Sequence, residues 1–483
     1  MLRAVQGQAL RFQELPAHAT PWLKAEIFFV NKEQKMSRTL RHPLTHFSRR
    51  WRHGLPALAA VWLAIGQSAP ALAENVTYPG VTLQTLTDGA YTTANALAPS
   101  LATPDANGND KTTSTANNTV TRNASAADPD PDYVFGAFNG QSSLVENNQV
   151  FLTGGTVAKD VIGGYNFLNQ GDTAANGNSV TLSGGIVGHS VFGGYVYSLT
   201  DGNATASGNS VEISNDAVFH DVYGGAAYVN LGGVSNASGN TVTVHGGQML
   251  GGQLAGANAG IETDSNASGN TVDIQGGEFT AQFIAGAWVM LNYPFSPNAI
   301  ATTMNNTVRI SGSPVFTAVD ALYGGYQTDV NAGHSISSGN TLKMESAGLA
   351  VKQLNFFEKF DFTLPAGLNT PVLTVTQLAN LGAGAVVTVS AAPGLNVNTG
   401  DVFTLIDASA GTLNGTVAAA PNCAIGGHTC TIEIEGGAGA PGKLLFKIGA
   451  PVSLASTAVP TLNEWALALL ALLLTGVALR RRA

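Results

Sequence analysis

The sequence predicts an all-β chain: a right-handed parallel β-solenoid of about eight coils, an all-β C-terminal cap and a short C-terminal hydrophobic helix. Three observations predict it. An Asn followed two places later by an aliphatic residue recurs at Asn118, Asn148, Asn178, Asn209, Asn240, Asn270, Asn306 and Asn340, at spacings of 30 to 36 residues. Each copy then alternates apolar and polar side chains. Charge is scarce: only 11% of the 483 residues are Asp, Glu, Lys or Arg, where soluble domains average about 25%.

The first strand of each copy carries Val150/Leu152, Val180/Leu182, Val211/Ile213, Val242/Val244, Val272/Ile274, Val308/Ile310 and Leu342/Met344. The residues between these pairs are Phe151, Thr181, Glu212, Thr243, Asp273, Arg309 and Lys343. A strand with one face buried reads this way. A second strand follows as Val161-Ile162-Gly163-Gly164-Tyr165 and its relatives Val191–Tyr195 and Val222–Ala226. Weaker copies stand at 254–257, 284–287 and 322–326, and an earlier cousin at 134–138. Gly pairs there suit positive φ and a sharp corner, or a close approach of backbones. A looser Asn/Ala/Ser/Thr stretch after them holds at most a weak third strand.

A unit of about 30 residues cannot bury its own apolar face, but stacked units can. Eight coils at about 4.8 Å make a rod of roughly 38 Å, and the right hand follows the usual crossover preference. A propeller fits less well, because its blades need longer repeats. Stacked at one corner, the recurring Asn can hydrogen-bond the next Asn and the turn backbone. Asn203-Ala204-Thr205, Asn236-Ala237-Ser238 and Asn266-Ala267-Ser268 also fit the glycosylation pattern, which such a composition produces by chance.

Beyond 350 the period is lost. Strand-like runs at 372–375, 385–389, 402–406, 432–434 and 444–448, separated by Gly, Asn and Pro turns, read as a cap over the open end. Cys423 and Cys430 are the only cysteines. An even pair in an exported chain suggests a disulfide. With His428 they make a poor zinc set.

The ends read as addresses. Residues 1–73 form a presequence: a basic stretch from Arg38 to His53, an apolar run from Leu55 to Ile65, and the small residues Ala71 and Ala73 of a cleavage site. Either Met36 is the true start or residues 1–35 extend the signal. Residues 74–117 are an N-terminal linker or cap, 118–350 the solenoid, 351–450 the cap and 451–458 a linker. From Glu74 onward, 12 basic residues stand against 28 acidic ones, a balance of −16. That argues against nucleic acid as a partner.

At 459–483 come Pro460, Thr461, Leu462 and Trp465, then the apolar run Ala466–Leu479, then Arg480, Arg481 and Arg482. This segment resembles the IPTL-CTERM sorting signals of Gram-negative bacteria, with Val459 in place of the usual Ile. The resemblance implies export through the Sec translocon, transient inner-membrane anchoring and processing by an exosortase-like enzyme. A permanent periplasm-facing anchor is the alternative. The repeats are similar to autotransporter passenger regions, and residues 354–407 to the non-repetitive end of such passengers. No outer-membrane barrel follows them here; the sorting-type tail stands in its place.

For chemistry, three features stand out. Asp273, Arg309 and Lys343 fall on successive coils, with Glu212 two coils before Asp273. Such a stripe suits a polysaccharide lyase or hydrolase, or simply a solvated face. Asp105, Asp110, Asp128, Asp130 and Asp132 offer oxygen ligands for Ca²⁺, or an acidic Pro-rich linker. The repeat from Asn270 to Asn306 is the longest, and its extra residues around Trp288, Tyr293 and Phe295 suggest a loop that binds a partner, or one that folds back over the coil. The function expected is a non-enzymatic cell-surface or matrix protein of structural or adhesin type, without cofactor or metal, meeting a surface polysaccharide or a host or cell-surface ligand. The alternative is a polysaccharide-active enzyme on the same scaffold.

Overall fold

A computed structural model describes residues 75–78, 84–88, 91–97, 115–123, 130–139, 143–168, 171–199, 201–291, 297–328, 330, 333–418, 424–437, 439–452 and 462–481. The chain divides into two compact units, one of residues 1–70 and 86–92, the other of residues 71–85 and 93–483. Of the first, only strand residues 86–88 and 91–92 are described. The second holds a parallel β-solenoid of about nine turns.

Each full coil has four strands, where the sequence suggested two with a weak third. In one coil these are Thr241–Val244, Gln248–Leu250, Gln253–Ile261 and Asp264–Ser268. The first and third kinds stack into one 25-stranded sheet. The fourth kind makes a seven-stranded sheet from Leu144–Glu146 to Ser335–Ser338, and the second a six-stranded sheet from Thr156–Val157 to Val315–Val319. Register is strict: Val180 pairs with Val211, Val211 with Val242, Val242 with Val272, and Val272 with Val308. Identical residue types at one position therefore become ladders.

Two cores run along the axis. The larger joins Val180, Leu182, Val191, Val211 and Ile213 with their counterparts in every coil. The smaller is lined by Ala175, Ala206, Ala237 and Ala267 on one side and Val196, Ala227, Ala259 and Val289 on the other. Between them lies the recurring Asn, buried in all eight coils. The loose Ala-rich stretch, nearly mute as a sequence pattern, thus forms the wall of the second core.

The Gly pairs explain the division. A Cβ on Gly194 would lie 2.5 Å from Asn209 Cγ, and one on Gly193 would lie 2.3 Å from the Gly224 carbonyl oxygen. None of Gly163, Gly164, Gly193, Gly194, Gly224 or Gly225 has positive φ. Close approach, not corner geometry, is what selects glycine there. The positive φ falls one residue before each ladder Asn, where Asn117, Asn147, Gly177, Gly208, Gly239, Gly269, Asn305 and Gly339 all lie between 55° and 70°. Asn and Gly are the residues that tolerate this region at least cost.

Ring residues on either side of the Gly pair meet outside the two aliphatic cores. Phe192 and Tyr195 touch edge to face at 5.0 Å between centroids. Tyr165 and Tyr195 lie 4.9 Å apart along the axis, and Phe192 and Tyr223 5.1 Å apart. These rings form an aromatic spine.

The parallel pairing does not stop where the period does. Leu349–Leu364 passes straight from the column of Leu322 to that of Leu342, pairing Leu354 with Leu322 and Phe360 with Leu342. The chain thereby omits the second core. Leu373–Ala391 and Val402–Asn414 continue in parallel. Ala440–Pro451 and His428–Glu435 then add antiparallel strands. The reversal ends the stack, and Phe357, Phe360, Phe362 and Phe446 fill the core beneath it.

Candidate functional site

The most regular chemistry of the fold is the amide ladder. The backbone N–H and the Nδ2 of each Asn donate to the Oδ1 of the Asn in the next coil. For Asn240 the distances to Asn270 Oδ1 are 2.9 and 3.0 Å. Its Nδ2 also donates to the Ala206 carbonyl at 3.0 Å. Every carboxamide therefore points the same way, and the donor end of the row faces the cap. There Glu358 takes the place of a ninth Asn: one oxygen accepts Asn340 N–H at 2.8 Å and the other accepts Ser337 Oγ at 3.1 Å. The carboxylate meets the positive end of a row of aligned dipoles, as at a helix N-terminus. Gln327 Nε2 meanwhile donates to the Ile336 carbonyl at 2.8 Å, occupying a group on the last strand of the seven-stranded sheet.

The charged stripe assembles in register. Asp273 pairs with Arg309, Arg309 with Lys343 and Lys343 with Asp361. Arg309 lies between two carboxylates, at 3.1 Å from Asp273 and in a two-toothed contact of 2.9 Å with Glu345. Hydrogen bonding to Glu345, joined by the Asp273 charge, raises the guanidinium pKa above its ordinary value. Glu212 stands apart from this group, at 3.2 Å from His245 Nε2. Arg309 is thereby neutralised between Asp273 and Glu345.

A second cluster escaped the sequence reading. His189 Nδ1 lies 2.8 Å from Asp160 Oδ1 and 3.0 Å from Ser190 Oγ. Asp, His and Ser thus meet, but both partners face one ring nitrogen, whereas a Ser-His-Asp relay uses both. Asp160 Oδ1 also accepts the Ser190 backbone N–H at 2.9 Å. Asp221 accepts Gln253 N–H in the same way two coils further on, at 2.8 Å. The cluster is a corner clasp. The hydrogen bond to Asp160 raises the His189 pKa against the opposing effect of burial. The sequence signal is an Asp directly ahead of the second strand's apolar residues, hidden because Ser190 and Gln253 replace it in alternate coils.

Trp288 corrects an expectation. It lies within strand Phe283–Leu291 and is buried, not at a loop tip, with Nε1 donating to Thr328 Oγ1 at 3.2 Å. It continues the aromatic spine, beside Phe283 and Tyr326. Tyr293 and Phe295 lie outside the described residues.

Asp132 holds Lys159 at 3.1 Å; Asp105, Asp110 and Asp128 are outside the described residues. Among the described residues no group of three His, Cys, Asp or Glu side chains is placed to hold a metal. Asn203 is tied to Asp172, while Asn236 and Asn266 pair in register. Cys430 is disulfide-bonded; the other cysteine of the chain, Cys423, lies outside the described residues. So do Ala71, Ala73, Pro460, Thr461 and Arg482.

The tail is a helix from Leu462 to Arg480, longer than its 14-residue apolar run. Trp465, Leu467, Leu469, Leu470, Leu472, Leu473, Leu474 and Val477 are all more than half exposed. Among the described residues no helix is long and apolar enough to cross a membrane. No curated protein and no solved structure matches the chain. Its far C-terminal segment does match a family: residues 457–483 carry the IPTL-CTERM motif, at the end of a chain whose body is a parallel β-solenoid.

Proposed function

We propose that this is an exported cell-surface or extracellular-matrix protein, a non-enzymatic rod of structural or adhesive type. The observation that carries the reading is the pairing of a C-terminal sorting motif with a repeat solenoid. In this reading the presequence addresses the chain to the Sec translocon. The Leu462–Arg480 helix then holds it transiently at the inner membrane, its exposed leucines in lipid and Arg480 and Arg481 at the interface. An exosortase-like enzyme processes the tail, and the rod meets surface polysaccharide. The charge pairing around Arg309 supports a solvated face rather than a cleft of converging carboxylates.

Cell fractionation with and without the last 24 residues tests this. The full chain is expected at the surface or in the medium, lacking the Ala466–Ala483 tail by mass, and the truncated chain in the periplasm. Identical fractionation of both, or an intact tail on the surface form, would overturn the sorting part. Retention of the purified surface form on a polysaccharide-coated support tests the adhesive part.

A further inference from the structure

The amide ladder has two ends, and Glu358 caps one of them. Each ladder Oδ1 accepts two donors from the coil before it. Asn148 Oδ1 takes the Asn118 N–H at 3.0 Å and Asn118 Nδ2 at 2.8 Å. The same pair recurs as far as Asn340 Oδ1, which takes Asn306 N–H at 3.1 Å and Asn306 Nδ2 at 3.0 Å. The aligned carboxamides therefore present oxygen, their negative end, toward the N-terminal end of the rod. The acceptor at that end belongs to Asn118, which is fully buried. Glu358 answers the donor end with a carboxylate. The acceptor end calls for a cation that carries N–H donors.

Register locates what stands there. Strand Asn75–Tyr78 pairs in parallel with Thr119–Asn123, Asn75 opposite Thr119 and Val76 opposite Val120. Val120 in turn stands opposite Val150, so the column of first strands extends back to residue 75. A ladder Asn is always the residue before such a strand's first paired position: Asn118 before Thr119, Asn148 before Gln149, Asn178 before Ser179. The residue before Asn75 is Glu74, itself outside the described residues. It is also the residue that the Ala71/Ala73 cleavage pattern leaves first in the exported chain. As an internal residue, Glu74 brings one backbone N–H and a carboxylate that donates nothing. As a first residue it brings an ammonium, with three N–H donors and a positive charge.

We propose that removal of the presequence completes the ladder: the α-ammonium of Glu74 donates to Asn118 Oδ1 and neutralises the negative end of the row. Hydrolysis of the Ala73–Glu74 peptide bond by one water leaves a carboxylate on Ala73 and this ammonium on Glu74. Export and folding are thereby coupled, because the uncut chain lacks the charged cap. This rests on the exported reading above and gives its cleavage site a structural role. A charge at the end of such a row is worth roughly two- to fivefold in an equilibrium constant.

The first test uses the exported protein. N-terminal sequencing should read Glu74-Asn75-Val76. Acetylation of the Glu74 amine at neutral pH, followed by the mass of the N-terminal peptide, should run at least about tenfold slower than in the same chain unfolded in urea. The second test compares chains that start at Glu74 and at Ala71, each released from a cleavable fusion. Hydrogen exchange at the amides of residues 118 and 120 should be at least about twofold slower in the chain that starts at Glu74. Asn118→Ala, which deletes the acceptor, should bring that ratio to one while the Val150 amide stays protected. An amine acetylated equally fast folded and unfolded, equal exchange in the two chains, or a ratio that persists in Asn118→Ala overturns the cap and leaves export standing. An exported chain with a first residue other than Glu74 does the same. A chain that never leaves the cytoplasm overturns the export reading as well.

Discussion

Replacing Asn240 by alanine strikes the amide ladder near its middle. The parent side chain accepts Asn209 N–H and Asn209 Nδ2, both at 3.0 Å, and donates to the Ala206 carbonyl. Alanine leaves those three buried groups without their partner. Each orphaned group costs about 1–3 kcal/mol. A water entering the vacated carboxamide volume can recover part of that, since three polar partners line it. A net loss of about 2–5 kcal/mol is therefore expected. Urea unfolding followed by circular dichroism measures it, and hydrogen exchange at the Asn209 amide locates it. Repeat rods unfold locally as well as globally, so the exchange reading matters: Asn209 should lose protection before the cap does. Thr241→Ala, half-buried at the next residue, serves as the control and should cost under about 0.5 kcal/mol. An Asn240→Ala loss below about 1 kcal/mol, or one no larger than the control, would refute the ladder as a source of stability.

Other expectations follow from the same geometry. Glu358→Gln turns one acceptor toward Asn340 N–H or Ser337 Oγ into a donor, and should cost about 1–2 kcal/mol, read as a lower denaturant midpoint with fraying at Ser335–Ser338. Gly193→Ala places a Cβ 2.3 Å from the Gly224 carbonyl oxygen; the backbone must shift, so a loss of about 3 kcal/mol or failure to fold is expected, whereas alanine at Gly208, open on all sides, should cost only its positive-φ strain of about 1 kcal/mol. His189 has a raised folded pKa, so its contribution to stability is fully present below the unfolded value near 6.5 and fades as pH rises through the folded value. The melting temperature of the parent relative to His189→Gln should fall across that window, and a constant difference would remove the clasp. Finally, no Lys or Arg occurs between Lys159 and Arg309. Trypsin acting on the folded protein should leave that stretch intact on a gel, and a nick within it would contradict the assigned residues.

Much of this was legible in the residues, because a solenoid writes its architecture as a period. Asn178, Val180 and Leu182 predict their neighbours a coil away, and register makes the prediction literal. What the period could not reveal was depth. Ala206 and Ala237 look like turn filler until the second core puts them on a wall, because alanine carries no periodicity strong enough to announce burial. Trp288 looked like a loop anchor because the longest repeat surrounds it. The sheet takes Trp288 itself in because the column that holds Tyr195 and Tyr326 provides a place for it. Glu358 looked like one acid among many in a region without repeat. Only the direct passage of Leu349–Leu364 between two columns brings it under Asn340.

The sequence by itself determined the stacked parallel coils, the buried amide ladder and the sorting motif at the tail. These depend on local pattern and on order along the chain. The tertiary structure decided the rest: two cores instead of one, glycine chosen for close approach instead of for a corner, and an aromatic spine. Those depend on which side chains meet across the coil, between strands separated by irregular turns whose lengths set the approach.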